Sequence, residues 1–569
     1  MIGWRLLCSG LVFVAVSTTA ATGLATLAGR FEPRGVWIAF AIGLVAAWWT
    51  SRKADAPGQR ITLTDTVLFG VFGLAAGRAF LWVIYPEGAN LEILSPHNLG
   101  DMALHLNLIH RWANGGTFWP ENPFLAGAIF PYHPGMDIWN AMLRIAGVPV
   151  YEGLRWVGLL GAAATAVALC RWGRGFALAA FLFAGGLGAI TFVQTGVLDG
   201  MLDKAAWKNL FLTMLVTQRG LLYSLPAGLV LMTVWRAQLR GEKDGPSLPV
   251  LAQAALYAPM PLFNAPAFLF LSIVLGVCVA VSWKRETLRP FLATGLLSVI
   301  PASWLVHMVT VRFTAPSALR FEPGWMQGDG GLWFWLWNFG IFLPLVLAGT
   351  IAIFRRGGAD VTARVFYGTS VATLLFCFLF AVAPWEWDNT KLMIWAYLAL
   401  MPFLWSNLIA KWPAWARAAA CLLLFASGAL ALLGGLDARH GYRLAERAEL
   451  SAVQVMLRTI PVNARLATAP SYEHPALILG QPVVMGHDGH LFSQGLDYGP
   501  VEGQLSTLMS GQADWRNAAR RLGVHYLFWG KRESARWPES TLPWKECASL
   551  LADTPQGALY LLTPCLLQD

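Results

Sequence analysis

The sequence predicts a polytopic α-helical membrane protein of about 13 spans with a small extracytoplasmic α/β domain after the last of them. Three observations predict it. Of 569 residues, 56% are hydrophobic and only 13% are charged, where a soluble domain carries about 25% charged residues. Apolar runs of spanning length recur through the first 435 residues. Lys and Arg gather in alternate loops between those runs, as cytoplasmic loops require.

The runs place spans near residues 5–28, 35–50, 61–85, 152–170, 175–196, 219–239, 249–260, 263–283, 290–310, 332–354, 361–383, 392–410 and 416–435. The first run is too long for a signal-peptide core and a second follows at once, so no cleavable leader is expected. Pro259, Pro261 and Pro266 interrupt the 249–283 pair, which is expected to form a hairpin that need not cross fully. One set of loops carries Arg52, Lys53, Arg60, Arg171, Arg174, Arg236, Arg240, Lys243, Lys284, Arg285, Arg289, Arg355, Arg356, Arg364, Lys411 and Arg417. The other set is longer and acidic. One topology satisfies every basic cluster: N-terminus inside, with loops 86–151, 197–218, 311–331 and 384–391 and the C-terminal domain outside. The net charge of +9 is therefore a topology signal. No basic face of a nucleic-acid binder is present, and no Gly-rich Lys-Ser/Thr phosphate loop or His-Glu-Xaa-Xaa-His stretch is either. The 28 Trp suit membrane interfaces and sugar sites; Trp325, Trp333, Trp335 and Trp337 are expected in an outer aromatic belt.

Residues 436–569 are polar enough to fold in water. A helix is expected from Gly441 to Ile460 and another from Trp515 to Leu522. Short buried strands are expected at Arg465–Ala469, Pro482–Met485, Val524–Trp529 and Ala558–Leu562. Alternating strands and helices make a small α/β domain. Five of the seven Cys lie in or beside apolar runs and read as small hydrophobes. Cys547 and Cys565 lie in this domain, where an oxidising compartment permits a disulfide.

The outer loop 86–151 has structure of its own. Asp101 to Trp112 has helical spacing, with Asp101 and His105 on one face and Asn98 or Ser95 as the candidate cap. A turn-rich segment, Pro120-Glu121-Asn122-Pro123, and an aromatic turn, Pro131-Tyr132-His133-Pro134-Gly135, follow. A second helix is expected from Met136 to Ala146.

These features resemble the GT-C superfamily of integral-membrane glycosyltransferases. The resemblance lies in the many-span core, the first-loop acid in Gly100-Asp101-Met102-Ala103-Leu104-His105, and the outer C-terminal domain. Gln218-Arg219-Gly220 and Trp387-Asp388-Asn389-Thr390-Lys391 are similar to segments of uncharacterised bacterial members. The resemblance implies a GT-C-like transmembrane domain over 1–435 and an extracytoplasmic domain over 436–569. It implies transfer of a sugar from a polyprenyl-phosphate donor to a glycan, lipid or protein acceptor at the outer face of a bacterial inner membrane. It also implies Asp101 as catalytic base or, in metal-dependent members, a ligand of Mg or Mn, with Asp199 and Asp203 of the second acidic loop completing the metal set. The first loop lacks the family's Asp-Xaa-Asp pair.

The residues themselves carry both roles and rivals. Asp101 at a helix start either acts as a base or merely favours the helix dipole. His105 binds phosphate or metal, orients Asp101, or forms a surface pair. Arg219 at the outer start of a span either holds a lipid phosphate bidentately or snorkels to headgroups, and Lys391 has the same logic. His133, between prolines, serves structure or lines a sugar pocket. Arg320 is a further candidate for the substrate. His487-Asp488-Gly489-His490 lacks known zinc spacing and reads as a loop. A flippase or transporter, or a ligase or polymerase of lipid-linked glycans, is the alternative to a glycosyltransferase.

Overall fold

The computed structural model describes residues 2–95, 98–198, 206–310, 319–355, 360–437 and 441–567. Among these, eight helices are long and apolar enough to cross a membrane: Gly3–Ala28, Pro33–Lys53, Leu63–Leu81, Val150–Leu182, Glu286–Thr310, Val361–Leu379, Glu386–Lys411 and Ala414–Leu436. A bent pair, Gly328–Phe339 and Phe342–Phe354, turns by 75° and makes a ninth. The protein is thus a largely helical membrane protein with a small strand-containing C-terminal region.

Local sequence accounts for much of this. Thr62 and Asp65 start the third helix with a reciprocal cap, the Thr62 N–H donating to the Asp65 carboxylate at 2.9 Å and the Asp65 N–H donating to Thr62 Oγ1 at 3.2 Å. Such a box satisfies two free donors of the first turn. Pro33 opens the second helix, where its missing N–H costs nothing.

Among the described residues, fewer than the 13 expected runs form a single helix of spanning length, for identifiable reasons. The run 175–196 is not one span. The long helix breaks at Gly173 and Arg174, resumes only to Leu182, and a seven-residue helix, Ala189–Thr195, follows; seven residues rise only about 10 Å. The run 249–283 forms shorter apolar helices, Val250–Phe263 and Ala265–Val281. They join at Asn264, whose side chain caps the second by accepting from the Ala267 N–H at 2.8 Å. The expected span 332–354 is the bent pair. The helix Leu221–Arg240 is buried from Leu221 to Trp235 and packs against the Val150–Leu182 helix at the centre of the bundle.

The aromatic belt also needs correction. Trp325 and Trp335 are buried, ring against ring at 4.9 Å, while Trp333 is exposed. A bend packs what a straight span would have displayed.

The basic loops meet one another. Arg5 lies 3.5 Å from Asp55, Asp55 bridges Ser247, Arg171 Nη1 donates to the Pro57 carbonyl at 2.9 Å, and Arg240 lies 2.6 Å from Asp360. The first acidic loop lies with the C-terminal region instead. Strand Asn90–Ile93 pairs antiparallel with Tyr85–Glu87 on one side and Tyr442–Glu446 on the other. The helix expected from Gly441 therefore begins only at Arg447 and runs to Leu457; the residues before it are taken up by strand pairing across to the loop.

The C-terminal sheet runs Leu466–Ala467, Tyr526–Gly530, Gly557–Leu561, Ser549–Thr554, its first pair parallel and the others antiparallel. Pro482–Met485 supplies isolated bridges rather than a full strand. The helix Trp515–Leu522 forms as expected. Cys547 and Cys565 are joined by a disulfide. Loop and domain interlock: the Val483 and Gly486 N–H groups donate to the Pro123 and Phe124 carbonyls at 2.9 and 2.8 Å, and the Ala126 N–H to the Val484 carbonyl at 2.9 Å. Buried Asn107 donates to the Leu477 carbonyl at 2.6 Å. Gly480 has φ +96, and a Cβ there would lie 2.6 Å from the Arg111 backbone nitrogen. Only glycine permits that approach.

Candidate functional site

The first loop helix, Leu99–Ala113, is buried along most of its length between the second loop helix, Gly135–Ile145, and the C-terminal domain. Asp101 lies in its first turn, partly buried. Among the described residues its carboxylate makes no hydrogen bond or ion pair. Asn98 occupies the N-cap position, but its side chain does not cap the helix, and its Oδ1 is buried without a partner.

His105, one turn on, is buried. Its partner is not Asp101 but Asp137, in the first turn of the second loop helix, at 2.8 Å from Nδ1 to Oδ1; the two side chains are 4% and 3% exposed. Asp137 was absent from the sequence-derived candidates. The available signal was slight: it is the one acid in Gly135–Ile145, in the turn that follows the Pro131–Pro134 segment.

Arg219 lies in the turn before helix Leu221–Arg240 and is 2% exposed. Its Nη2 meets Met102 Sδ at 3.9 Å, while Nε and Nη1 are buried without hydrogen-bond partners among the described residues. Asp137, Tyr132 and Asp101 are the ionisable groups within its electrostatic reach. Phe263 fixes both approaches to this cluster. A Cβ on Gly220 would stand 1.8 Å from the Phe263 carbonyl oxygen, and one on Gly135 2.6 Å from the Phe263 ring. The two glycines let the Arg219 turn and the second loop helix close on the same wedge.

The aromatic turn covers the cluster. Tyr132 stacks on Phe130 at 5.3 Å and on His133 at 6.0 Å, and its ring lies 6.4 Å from that of His105. Burial and the nearby Asp137 and Asp101 hold the Tyr132 phenol well above its usual range. His133 is partly buried, with Nδ1 closed to solvent and unpartnered. Desolvation, and then the Lys391 ammonium, push it down to about 4. Lys391 is not a free cation: Nζ lies 3.0 Å from Asp388.

Arg320 stands apart. It sits in a two-residue strand paired with Phe380–Ala381, donates to the Ala383 carbonyl at 3.3 Å and pairs with Glu322 at 3.3 Å. It shares none of these partners with Asp101, Arg219 or His133. Asp199 and Asp203 fall outside the described residues. Among the described residues, no three His, Cys, Asp or Glu side chains converge in a way that could hold a metal ion.

One contributor comes from far along the chain. His490 Nε2 lies 2.9 Å from where a Cβ on Gly100 would stand. Desolvation lowers it to about 4 against the pull of Asp101, with His487 and His105 adding to the depression and Asp488 opposing it. The His487–His490 segment, expected as a loop, is instead the start of a short helix, Asp488–Ser493, with His487 at its N-cap, and it is folded onto the Asp101 turn.

These two histidines predict an acid-sensitive fold. Both are neutral in the native state near pH 6.5, where the unfolded chain begins to take up protons. Stability is therefore present in full above pH 6.5 and is lost as pH falls toward 4, by up to about 3 kcal/mol for each, less what solvent screens. Unfolding in detergent at pH 7.5 and pH 5 measures it. The double variant His133→Gln, His490→Gln should show a smaller drop between the two than the native chain, and an equal drop would refute the assignment.

No protein-family model and no curated protein matches the chain. Among solved structures it is similar to the Archaeoglobus fulgidus oligosaccharyltransferase tethered to an acceptor peptide by a disulfide bond. The identity is 12% over 87% of this chain and 74% of that one, with a TM-score of 0.45. It is also similar to the archaeal oligosaccharyltransferase AglB from Archaeoglobus fulgidus in complex with an inhibitory peptide and a dolichol-phosphate. There the identity is 13% over 86% and 73%, with a TM-score of 0.38.

Proposed function

We propose that the chain is a GT-C-like membrane glycosyltransferase that moves a sugar from a polyprenyl-phosphate donor to an acceptor at the extracytoplasmic face. The observation that carries this reading is Arg219: a guanidinium 2% exposed, in the same cluster as the Asp101 carboxylate, with two of its nitrogens and that carboxylate unpartnered among the described residues. A buried cation without hydrogen-bond partners is costly. A phosphate supplies the charge and the acceptors that a guanidinium fork needs. In this reading a donor held there by its phosphate has its anomeric carbon near Asp101, which serves the transfer as base or metal ligand. His133 and Lys391 border the same region and line the path of the sugar or the phosphate in this reading. A divalent ion at Asp101 would need ligands from beyond the described residues.

The positive-inside pattern and the mutual contacts of the basic loops support a cytoplasmic N-terminus with the site on the opposite side. The Cys547–Cys565 disulfide is consistent with a C-terminal domain outside the reducing cytoplasm. A bacterial inner membrane is the setting proposed.

The test is the purified chain in proteoliposomes with a polyprenyl-phosphate sugar labelled in the sugar and a mixture of envelope glycans, lipids and proteins. Label released from the carrier and bound covalently to an acceptor is expected. Label that crosses the bilayer still attached to its carrier, with no bond cleaved, would replace this reading with that of a flippase. Transfer of whole glycans from a pyrophosphate carrier, with no transfer from the monophosphate, would mark a ligase or polymerase.

A further inference from the structure

The Asp101 carboxylate is the first-loop acid, but it is not the group best built to take a proton. His105 is. Its Nδ1 lies 2.8 Å from Asp137 Oδ1, and both side chains are almost wholly buried. A carboxylate accepts and does not donate, so the imidazole presents its N–H to Asp137 through Nδ1 and leaves the lone pair on Nε2. That Nε2 makes no hydrogen bond among the described residues. An imidazole held in one tautomer by a buried carboxylate, with the opposite nitrogen free, is a general base in waiting. Asp101 lies one turn away on the same helix face, so both groups address the same space.

We propose that His105 is the proton acceptor of the transfer reaction and that Asp137 is its positioning residue, leaving Asp101 to stabilise positive charge at the sugar. This rests on the glycosyltransferase reading above. In the step, the acceptor hydroxyl gives its proton to His105 Nε2 while its oxygen bonds to the anomeric carbon. The bond from the anomeric carbon to the phosphate oxygen breaks, and its electron pair leaves on the phosphate, where Arg219 receives the charge. The imidazolium so formed faces the Asp137 carboxylate, which stabilises it, and it returns its proton to solvent after the product leaves. Charge at the sugar is positive during this exchange, and Asp101, unpartnered among the described residues, is the anion that meets it. Other groups face His105 from each neighbouring element: Tyr132 from the aromatic turn and His490 from the C-terminal domain, with Arg219 facing Asp137 across the cluster.

The experiment is chemical rescue. In the transfer assay, His105→Ala is expected to lose at least about 100-fold in kcat, with a much smaller change in the donor KM. Added imidazole should restore at least about a tenth of the native rate, because a free base replaces the missing one. Asp137→Asn keeps the volume and a hydrogen-bond acceptor but not the charge; it should lower kcat by about 10- to 1000-fold without weakening polyprenyl-phosphate binding. His105→Ala transferring at the native rate would overturn the proposal. So would a folded His105→Ala, with its unfolding midpoint intact, that loses transfer and gains nothing from imidazole. If His105→Ala does not fold, Asp137→Asn decides, and a native kcat in that variant overturns the proposal. Failure of the native chain to transfer from any polyprenyl-phosphate sugar would instead overturn the glycosyltransferase reading, and the proton role with it.

Discussion

Arg219→Ala should lower kcat/KM for the lipid-phosphate donor by about 10³-fold, the equivalent of truncating one partner of a buried charge pair at 3–5 kcal/mol. The guanidinium is 2% exposed and its Nε and Nη1 have no partner among the described residues, so the proposed interaction with phosphate is not diluted by one it must first break. Arg219→Lys should fall between the two, since an ammonium keeps the charge but loses the planar fork. The variant has a structural consequence as well. Asp101 and Asp137 both lie within reach of Arg219, and its loss leaves two anions facing each other's field with less compensation. Equilibrium binding of polyprenyl phosphate, read by quenching of Trp fluorescence, separates the two effects. Native binding by a folded Arg219→Ala would remove the phosphate from this site.

Asp101→Asn should reduce transfer by about 10²–10³-fold, the size of losing one electrostatic stabiliser of a developing charge. Donor binding should not weaken, because in the proposed reading Arg219, not this carboxylate, holds the phosphate. The substitution is a fair test of chemistry: Asp101 makes no hydrogen bond or ion pair among the described residues, so an isosteric amide leaves the helix start as it is. An unchanged unfolding midpoint with a collapsed kcat is the expected pair of results. Full transfer by Asp101→Asn would exclude both the base and the charge-stabilising roles.

Apolar run length and turn chemistry made the spans, the two loop helices and the Trp515–Leu522 helix legible, because each depends on residues within a few positions of one another. The errors have a common cause. The run 175–196 carries no charge and no polar side chain before Thr191, yet the chain breaks after Leu182 and restarts at Ala189; hydropathy alone does not register a break whose residues are as apolar as their neighbours. Trp325 and Trp335 look like interface anchors until a 75° bend folds them into the core. Gly441–Glu446 looks helical beside Arg447–Leu457 until Asn90–Ile93, from the other end of the chain, pairs with it.

The candidate site divides in the same way. Membrane residence, the acid at the start of a loop helix and the cations at span starts are properties of composition and local spacing, and the sequence alone determined them. The choice of partners was not local. His105 took Asp137, 32 residues away, over Asp101 one turn away, because i and i+4 side chains on a helix point outward side by side, whereas a facing helix can bring a carboxylate head-on. Lys391 found Asp388, and Arg219 found no carboxylate at contact distance among the described residues. His490 reached the Asp101 turn only because the C-terminal domain shares a sheet and a set of backbone hydrogen bonds with the first loop. Tertiary packing decided which buried charges were paired and which were left open, since desolvation makes that choice only after distant segments have closed around them.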